Sequence, residues 1–239
     1  MKSGVVIAVI AGVWFSVSAQ PEAKITRIEG SAQVVKSGSS SWRAARLNMP
    51  LQVNDQLKSG SESLIEITYR HGAIMRLAEN TTFSIRKSGA GEVSTSIPKG
   101  NVWVNMKKIT SSARDFDVLT PTAVAAIRGT IFQMMSLPDS SADVAVFDGK
   151  VAVGLSDDGK KRAHLPEKPL EAPHEVPGPT EVPGPYEVTL DQWRTIVAGQ
   201  RISIRANGTF ATTEFDLNKQ LDAFIEKNRA LDAEIKGAR

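Results

Sequence analysis

Apolar and polar residues alternate with a period of two over most of residues 25–153. In the run 65–69, Ile, Ile and Tyr alternate with Glu and Thr, as expected of β-strands with one buried face. Turn residues such as His71-Gly72 and Asp148-Gly149 separate the runs, and we expect the second pair to close a hairpin. The pattern predicts an all-β fold with one C-terminal α-helix: an elongated antiparallel β-roll or sandwich, or a solenoid of short strands.

Residues 156–187 break this pattern because they are rich in proline and carry the direct repeat E-V-P-G-P-T, E-V-P-G-P-Y. Proline fixes φ and removes a backbone donor, so no sheet can run through the segment. We expect an exposed loop, which is either a docking ligand for a partner's aromatic groove or, as we favour, a spacer. Asp157-Asp158-Gly159 lacks the other ligands of a calcium loop, and we interpret it as a hairpin tip or loop.

Strand-like alternation resumes over residues 188–213. The proline-rich loop is therefore an insertion in one β domain, which consists of residues 20–155 and 188–213. Apolar residues at helical spacing then predict an amphipathic helix over 214–239, with Thr213 or Asp216 as its N-cap. A helix this polar is marginal without a partner surface. It therefore either packs on its own domain or pairs with another chain.

The first 19 residues are typical of a secretory signal peptide. Lys2 provides the positive start, an apolar stretch follows, and Val17-Ser18-Ala19 fits the small-residue rule for cleavage before Gln20. The alternative is an uncleaved membrane anchor, although the stretch is short for a spanning helix. We expect a periplasmic or otherwise exported protein with no membrane span after cleavage.

Composition narrows the classes of function. The chain has no cysteine, which excludes disulfides, cysteine nucleophiles, thiolate metal sites and a lipidated N-terminal cysteine. The net charge of +3 is too small to indicate a nucleic-acid partner. The three histidines are scattered, and no catalytic or nucleotide-binding motif is present. We expect no catalytic residue, no cofactor and no metal site, and therefore no enzyme.

Arg128 is a candidate binding residue because it lies in an apolar run that continues to Thr130 and beyond. A guanidinium is almost never buried without partners. We interpret Arg128 as an anion or carboxylate clamp or, as we favour, as a structural arginine that binds loop carbonyls and a buried acid. Gly129 beside it predicts a β-bulge that redirects the chain.

Three tryptophans, Trp42, Trp103 and Trp193, lie beyond the predicted signal peptide. An exposed tryptophan on a β face can stack on a sugar ring or a partner side chain, whereas a buried one fills the core, which we favour. Trp42 follows three serines and precedes an arginine, so we expect it to be the most exposed.

The β region resembles the FecR-domain family. Thr26–Gly30 resembles its opening strand, Asn54–Gly60 its G-D-x-I-x-T-G step, and Thr120–Phe132 its T-P-x-A-x-x-x-V-R-G-T-x-F stretch. Asp148–Val151 follows at the expected distance, and Val197–Gln200 resembles the closing L-x-x-G-Q strand. Arg128, Gly129 and Thr130 fall in the most specific of these stretches.

The resemblance implies an all-β extracytoplasmic domain, best known as the periplasmic sensory part of regulators in iron–siderophore signalling. We expect this chain to be a stand-alone exported member that binds or scaffolds, contacting an envelope protein or a cell-wall glycan without catalysis. The alternative is a periplasmic signalling module that acts in trans with a membrane regulator. The sequence leaves the partner and the oligomeric state open.

Overall fold

The computed structural model describes most of the region after the predicted signal peptide: residues 22–89, 92–106, 115–163, 193–219 and 222–237. The predicted signal peptide lies outside the described residues, as does most of the proline-rich segment. Among the described residues the fold is all-β with a C-terminal helix, which confirms the predicted class.

The described residues form seventeen strands and two helices. The strands are β1 (Ala23–Glu29), β2 (Ala32–Val35), β3 (Arg43–Ala44), β4 (Pro50–Leu51), β5 (Gln56–Ser59), β6 (Leu64–Tyr69), β7 (Ile74–Leu77), β8 (Thr82–Gly89), β9 (Glu92–Asn105), β10 (Asp115–Leu119), β11 (Ala123–Ile127), β12 (Ile131–Ser136), β13 (Ala142–Asp148), β14 (Lys150–Leu155), β15 (Arg194–Val197), β16 (Gln200–Ile204) and β17 (Phe210–Glu214). The helices are α1 (Asp157–Ala163) and α2 (Ala223–Gly237).

The strands form two ladders that share β9. Ladder A has the order β4–β1–β6–β7–β9–β12–β13–β16–β17. Ladder B has the order β3–β2–β5–β8–β9–β10–β11–β14–β15. The pairing of β9 with β10 is parallel, so the predicted purely antiparallel arrangement is wrong at this position.

The long strand β9 joins the ladders through a corner at Pro98–Gly100. Residues 92–96 pair in ladder B, and residues 100–105 pair in ladder A. Proline lacks an N–H to donate, which suits a position between two ladders. Gly100 has φ +113°, and a Cβ there would lie 2.3 Å from Oγ1 of Thr81. Only glycine allows both this backbone conformation and this close approach.

One hydrophobic core lies between the ladders. Ile65, Ile67 and Tyr69 on β6 are fully buried, as the alternation predicts. The inward residues of ladder A and those of ladder B, such as Leu57 and Phe83, belong to the same cluster. The two ladders therefore pack face to face and leave each one an outer face. These outer faces are where the chain can present functional side chains.

The Asp148-Gly149 turn is a crossover, and the predicted hairpin is wrong. Strand β13 belongs to ladder A and β14 to ladder B, so the two do not pair with each other. Arg128–Thr130 makes the opposite crossover, from β11 in ladder B to β12 in ladder A. Gly129 (φ +70°) and Gly149 (φ +81°) redirect the chain at these two points. A crossover and a hairpin both need a glycine with positive φ at the turn, so the sequence does not distinguish the two kinds of connection.

The two crossovers lie against each other. A Cβ on Gly149 would be 2.9 Å from the carbonyl oxygen of Gly129 and 2.7 Å from Cγ2 of Thr130. The predicted bulge at Gly129 is instead found on β13, where Phe147 is the extra residue between Val146 and Asp148. Thr130 is buried, so its position in the family-like stretch reflects the packing of this corner.

Residues 157–163 form helix α1, so the interpretation of Asp157-Asp158-Gly159 as a hairpin tip or loop is wrong. Ser156 precedes the helix, and its Oγ accepts a hydrogen bond from the N–H of Gly159 at 3.0 Å. The two aspartates lie in the first turn, where carboxylates interact favourably with the helix dipole. The sequence therefore contains a helix-capping serine and an acidic first turn directly before the proline-rich stretch.

Two expectations at the C-terminal end also need correction. Val197–Gln200 is not a closing strand but contains the turn between β15 and β16, with Gly199 at φ +85°. Helix α2 begins at Ala223, later than predicted, and β17 extends to Glu214. The N-cap is Asp222, whose carboxylate accepts a hydrogen bond from the N–H of Ile225 at 2.9 Å, and not Thr213 or Asp216.

Candidate binding site

A groove with a volume of about 520 Å³ crosses the outer face of ladder B. We call it the ladder B groove. It is lined by Glu92, Asp117, Ala126, Ile127, Arg128, Lys150, Ala152, Trp193 and Thr195. Strands β9, β10, β11, β14 and β15 therefore all contribute to it. The structure thus brings together two predicted candidates, Arg128 and Trp193, that are 65 positions apart in the chain.

The floor of the groove consists of small side chains on paired strands. Ala126 on β11 lies directly opposite Ala152 on β14, and Ala152 lies opposite Thr195 on β15. Outward-facing positions of a sheet usually carry longer polar side chains. Two alanines side by side leave a trough between the longer side chains that flank them.

Trp193 forms one wall of the groove, and its ring lies over Gly154 of β14. A Cβ at residue 154 would lie 3.1–3.2 Å from the indole ring, so glycine allows the ring to approach the strand. The side chain is nevertheless 47% exposed. Trp193 is therefore the most exposed of the three described tryptophans, and the prediction that this would be Trp42 is wrong.

The opposite end of the groove carries two cations. Arg128 and Lys150 are both exposed, and neither forms an ion pair with another described residue. Of the two acids in the groove, Glu92 is held by Lys87, with 2.5 Å between Nζ and Oε2. Arg128 is therefore not the buried structural arginine that we favoured, because the crossover carries it to the surface. Its guanidinium is available to an anion in solution.

Trp42 and Trp103 contribute to the fold and not to the groove. Trp42 is half-buried at the other end of ladder B, and the ammonium of Lys58 lies 3.9 Å from its ring centroid. Trp103 is buried on the outer face of ladder A, 4.7 Å from the ring of Phe147. Trp103 follows the favoured interpretation of a core residue.

The outer face of ladder A is covered by helix α2 through a buried polar network. Arg76 on β7 is fully buried; its Nε donates to Oε2 of Glu66 at 2.7 Å, and its Nη1 donates to Oδ1 of Asp232 at 2.6 Å. The indole N–H of Trp103 donates to the other oxygen of Asp232 at 2.9 Å. Asn228 adds a weaker contact, with Oδ1 3.3 Å from Arg76 Nη1.

Sequence reasoning missed this network. Glu66 and Arg76 lie directly opposite each other on β6 and β7, and Arg76 lies opposite Trp103 on β9. All three occupy outward positions, which alternation assigns to solvent. One signal in the sequence was the position of Asp232, a charged residue next to Leu231 of the apolar stripe of the helix. The helix therefore packs on its own domain, which was one of the two alternatives left open.

A second groove, of about 740 Å³, lies where α2 begins, between Phe224 and the strand ends near Leu64, Ala78 and Met135. Its lining is mainly apolar, and it contains none of the predicted candidate residues. Residues 220 and 221, which precede the helix, lie outside the described residues. The ladder B groove is the stronger candidate because it combines an open aromatic ring with unpaired cations.

The described residues contain no group of three or more His, Cys, Asp and Glu side chains placed to hold a metal ion. In the same described ranges, no helix is long and apolar enough to cross a membrane. The lining of the ladder B groove offers an aromatic ring for stacking, charged groups and a threonine hydroxyl.

Comparison with known proteins supports the family suggested by the sequence motifs. The family model described as "FecR protein" matches residues 55–152. This range includes the Arg128–Thr130 crossover and runs from β5 into β14, whereas Thr26–Gly30 and Val197–Gln200 lie outside it. A search of the curated proteins found no match.

Among solved structures, two crystal structures of a "putative anti-sigma factor" from Parabacteroides distasonis ATCC 8503, at 2.50 and 1.65 Å resolution, are similar to the chain. Each shares 14% sequence identity with a TM-score of 0.48, over 69% of this chain and 61% of that one. The chain thus spans about three fifths of the length of these structures. Residues 55–152 therefore match the FecR family, as the sequence motifs suggested.

Proposed function

We propose that this chain is a non-enzymatic binding module that works outside the cytoplasm and holds its ligand in the ladder B groove. The observation that carries the proposal is the meeting of exposed Trp193 with Arg128 and Lys150 in one open groove. Exposed aromatic and arginine side chains are the residue types most enriched where proteins bind their partners.

The stability of the fold does not explain why Trp193, Arg128 and Lys150 are exposed at this position. Trp193 leaves nearly half its surface in water, and a large apolar side chain gains free energy from burial. Arg128 and Lys150 are neighbouring like charges without ion pairs among the described residues, an arrangement that is slightly unfavourable for an empty surface. A ligand that stacks on the indole and carries negative charge would compensate for both.

Catalysis is not part of the proposal because the groove lacks an activated nucleophile. Among the described residues that line it, the only hydroxyl belongs to Thr195, and there is no histidine. The Glu92 carboxylate is engaged in an ion pair with Lys87. Turnover of cell-envelope polymer that is abolished by Arg128→Ala would contradict this part of the proposal.

Export is the second part of the proposal, and the FecR match supports it. We further propose cleavage after Ala19 and one domain made of residues 20–155 and 188–213, because β15 and β16 pair with β14 and β13. Cell fractionation followed by N-terminal sequencing tests the cleavage. A mature chain that starts at Gln20 in the periplasmic fraction is expected, and a cytoplasmic chain that retains Met1 would contradict export.

Site-specific photocrosslinking in living cells tests the binding function. A photoreactive residue at Thr195 lies in the groove, and one at Glu234 lies on the exposed side of α2 as a matched control. We expect a discrete crosslinked product from residue 195 that is absent from residue 234. Equal labelling from both positions, or none from residue 195, would contradict the proposal.

A second candidate function is a periplasmic signalling module that acts in trans with a membrane regulator, and the FecR match favours it. This function also requires a binding surface, so the groove serves both. Deletion of the gene should then change transcription of a defined set of genes under iron limitation or envelope stress. An unchanged transcript profile in both conditions would exclude this candidate and leave the binding function intact.

A further inference from the structure

We infer that the ladder B groove binds an oligosaccharide that carries carboxylates. This inference rests on the binding function proposed above and names the ligand class for the same site. Its basis is the distribution of one aromatic ring, a flat floor and two cations along strands β14 and β11.

The aromatic end is suited to the flat face of a sugar ring. The Trp193 indole stands over Gly154 with 47% of its side chain in water, so it provides a ring surface without a closed pocket. A protein side chain that acts as a hot spot fills a desolvated pocket. The groove is an open trough, since Ile127 is buried and the floor between β11 and β14 is alanine. An open aromatic platform instead favours a ligand that keeps most of its hydroxyls hydrated.

The cationic end is suited to a carboxylate. The guanidinium of Arg128 presents a planar fork of donors that matches carboxylate geometry, and the ammonium of Lys150 adds a second charge. Of the two acids of the groove, Glu92 is paired with Lys87 on β8, and Asp117 lies on β10 opposite Ala126. A neutral glycan would leave both cations without a partner.

The separation of the two ends sets the length of the ligand. Lys150 and Gly154 point outward from the same strand, four residues apart, which corresponds to about 13 Å. One sugar ring cannot reach from the indole to the cations. The ligand must therefore be a chain of sugars that runs along β14 and crosses Ala152. Thr195, opposite Ala152, offers a hydroxyl to the middle of such a chain.

Two saccharides of equal length separate the contribution of charge from that of stacking. The first is a tetrasaccharide of alternating N-acetylglucosamine and N-acetylmuramic acid, whose lactyl groups carry free carboxylates. The second is chitotetraose, which has no carboxylate. Both are titrated calorimetrically into protein purified from the envelope of cells that express the full chain. We expect the acidic saccharide to bind at least about tenfold more tightly, as one charge-assisted hydrogen bond would provide.

Three variants assign the two ends. Trp193→Ala should remove binding of both saccharides. Arg128→Ala should weaken only the acidic saccharide, to about the affinity of chitotetraose. Arg46→Ala, an exposed arginine outside the groove, should leave both affinities unchanged. Arg128 and Arg46 are exposed and Trp193 is about half exposed, so each variant should still fold, and circular dichroism checks this.

The inference is overturned if neither saccharide binds, or if both bind equally to the parent protein and to the Arg128 variant. If neither binds while photocrosslinking from residue 195 captures a protein, the binding function stands and the ligand class named here is wrong. If neither binds and residue 195 also captures nothing, both proposals fail.

Discussion

Ladders A and B share strand β9, but their outer faces differ in what covers them. On ladder A, charged and aromatic outward residues are covered by α2 and satisfied by each other, as in the Arg76–Asp232 ion pair. On ladder B, the outward residues around Ala126 and Ala152 are small, and Trp193 and Arg128 remain open to solvent. Similar residue types therefore serve the fold on one face and remain available for binding on the other.

This difference shows that the fold buries a charged side chain where another element provides its ion-pair and hydrogen-bond partners. Asp232 provides both the carboxylate for Arg76 and the acceptor for the Trp103 indole, so helix and sheet are specified together. A buried ion pair contributes little net stability compared with apolar residues, but loss of one partner is costly. No comparable element among the described residues covers the ladder B groove.

The largest expected effect comes from uncovering ladder A. Asp232→Ala leaves the Arg76 guanidinium buried beside Glu66 and removes the acceptor of the Trp103 N–H. We expect a loss of about 3–5 kcal/mol in the free energy of unfolding, measured by urea denaturation. Glu234→Ala, on the exposed side of the same helix, should change it by less than about 0.5 kcal/mol. Equal effects of the two variants would mean that the network does not hold the helix.

The next effect concerns the corner that separates the two faces. Gly149→Ala places a Cβ 2.7 Å from Thr130 and 2.9 Å from the Gly129 carbonyl, in addition to the strain of φ +81°. Gly72→Ala has similar strain at φ +92° but meets nothing within 4 Å. We expect a loss of about 1–2 kcal/mol for Gly72→Ala and a larger loss for Gly149→Ala.

Thermal unfolding of the two variants measures this difference. The excess loss in Gly149→Ala reports the contact between crossovers. If Gly72→Ala costs as much, backbone strain alone explains both, and the two crossovers do not constrain each other.

A smaller effect on stability distinguishes the tryptophans of the two faces. Trp193→Ala should cost only about 1 kcal/mol, because nearly half of the residue already lies in water and the rest packs on Gly154. Trp103→Ala removes a buried side chain and its hydrogen bond to Asp232, and should cost about 3–5 kcal/mol. Guanidinium denaturation of both variants gives the comparison. A large loss in Trp193→Ala would show that this residue serves the fold and would weaken the binding proposal.

The smallest effect is a pH dependence at the end of α2. The hydrogen bond from Lys227 lowers the pKa of Glu29, which ties β1 to the helix. A lowered folded-state pKa means that the stabilisation is present above the unfolded-state pKa and is lost as the pH falls through the folded-state pKa. Because both side chains are partly exposed, we expect only a few tenths of a kcal/mol, about the value of a screened surface pair.

Urea denaturation at neutral pH and at acidic pH measures the contribution of the Glu29–Lys227 pair to the free energy of unfolding. Glu29→Gln should reduce stability slightly at neutral pH and should remove this part of the acid sensitivity. An unchanged pH dependence in Glu29→Gln would show that the pair does not contribute.

Alternation in the sequence predicted several of the strands and their inward faces. Residues such as Ile65 and Val104 follow a period of two that burial then fixes. The pairing of strands was not predictable, because a turn such as Asp148-Gly149 has the same residues in a hairpin and in a crossover. The parallel pairing of β9 with β10 likewise leaves no local signature.

The candidate site was predictable only residue by residue. Arg128 and Trp193 were singled out, but their meeting depends on β15 joining β14 after a long intervening segment. The floor residues Ala126 and Ala152 carry no chemical signal in the sequence. The covering of ladder A was missed because outward Glu66 and Arg76 have the pattern of solvated residues, and only the docked helix makes them buried.

Hydroxyl-radical footprinting tests most directly the claim that ligand is held on ladder B and not on ladder A. The side-chain oxidation of Trp193 and Trp42 is compared, by mass spectrometry, between intact cells and the purified full-chain product. We expect Trp193 to be protected in cells while half-buried Trp42 is oxidised equally in both samples. Equal oxidation of Trp193 in both samples, with new protection confined to the exposed side of α2, would contradict the account.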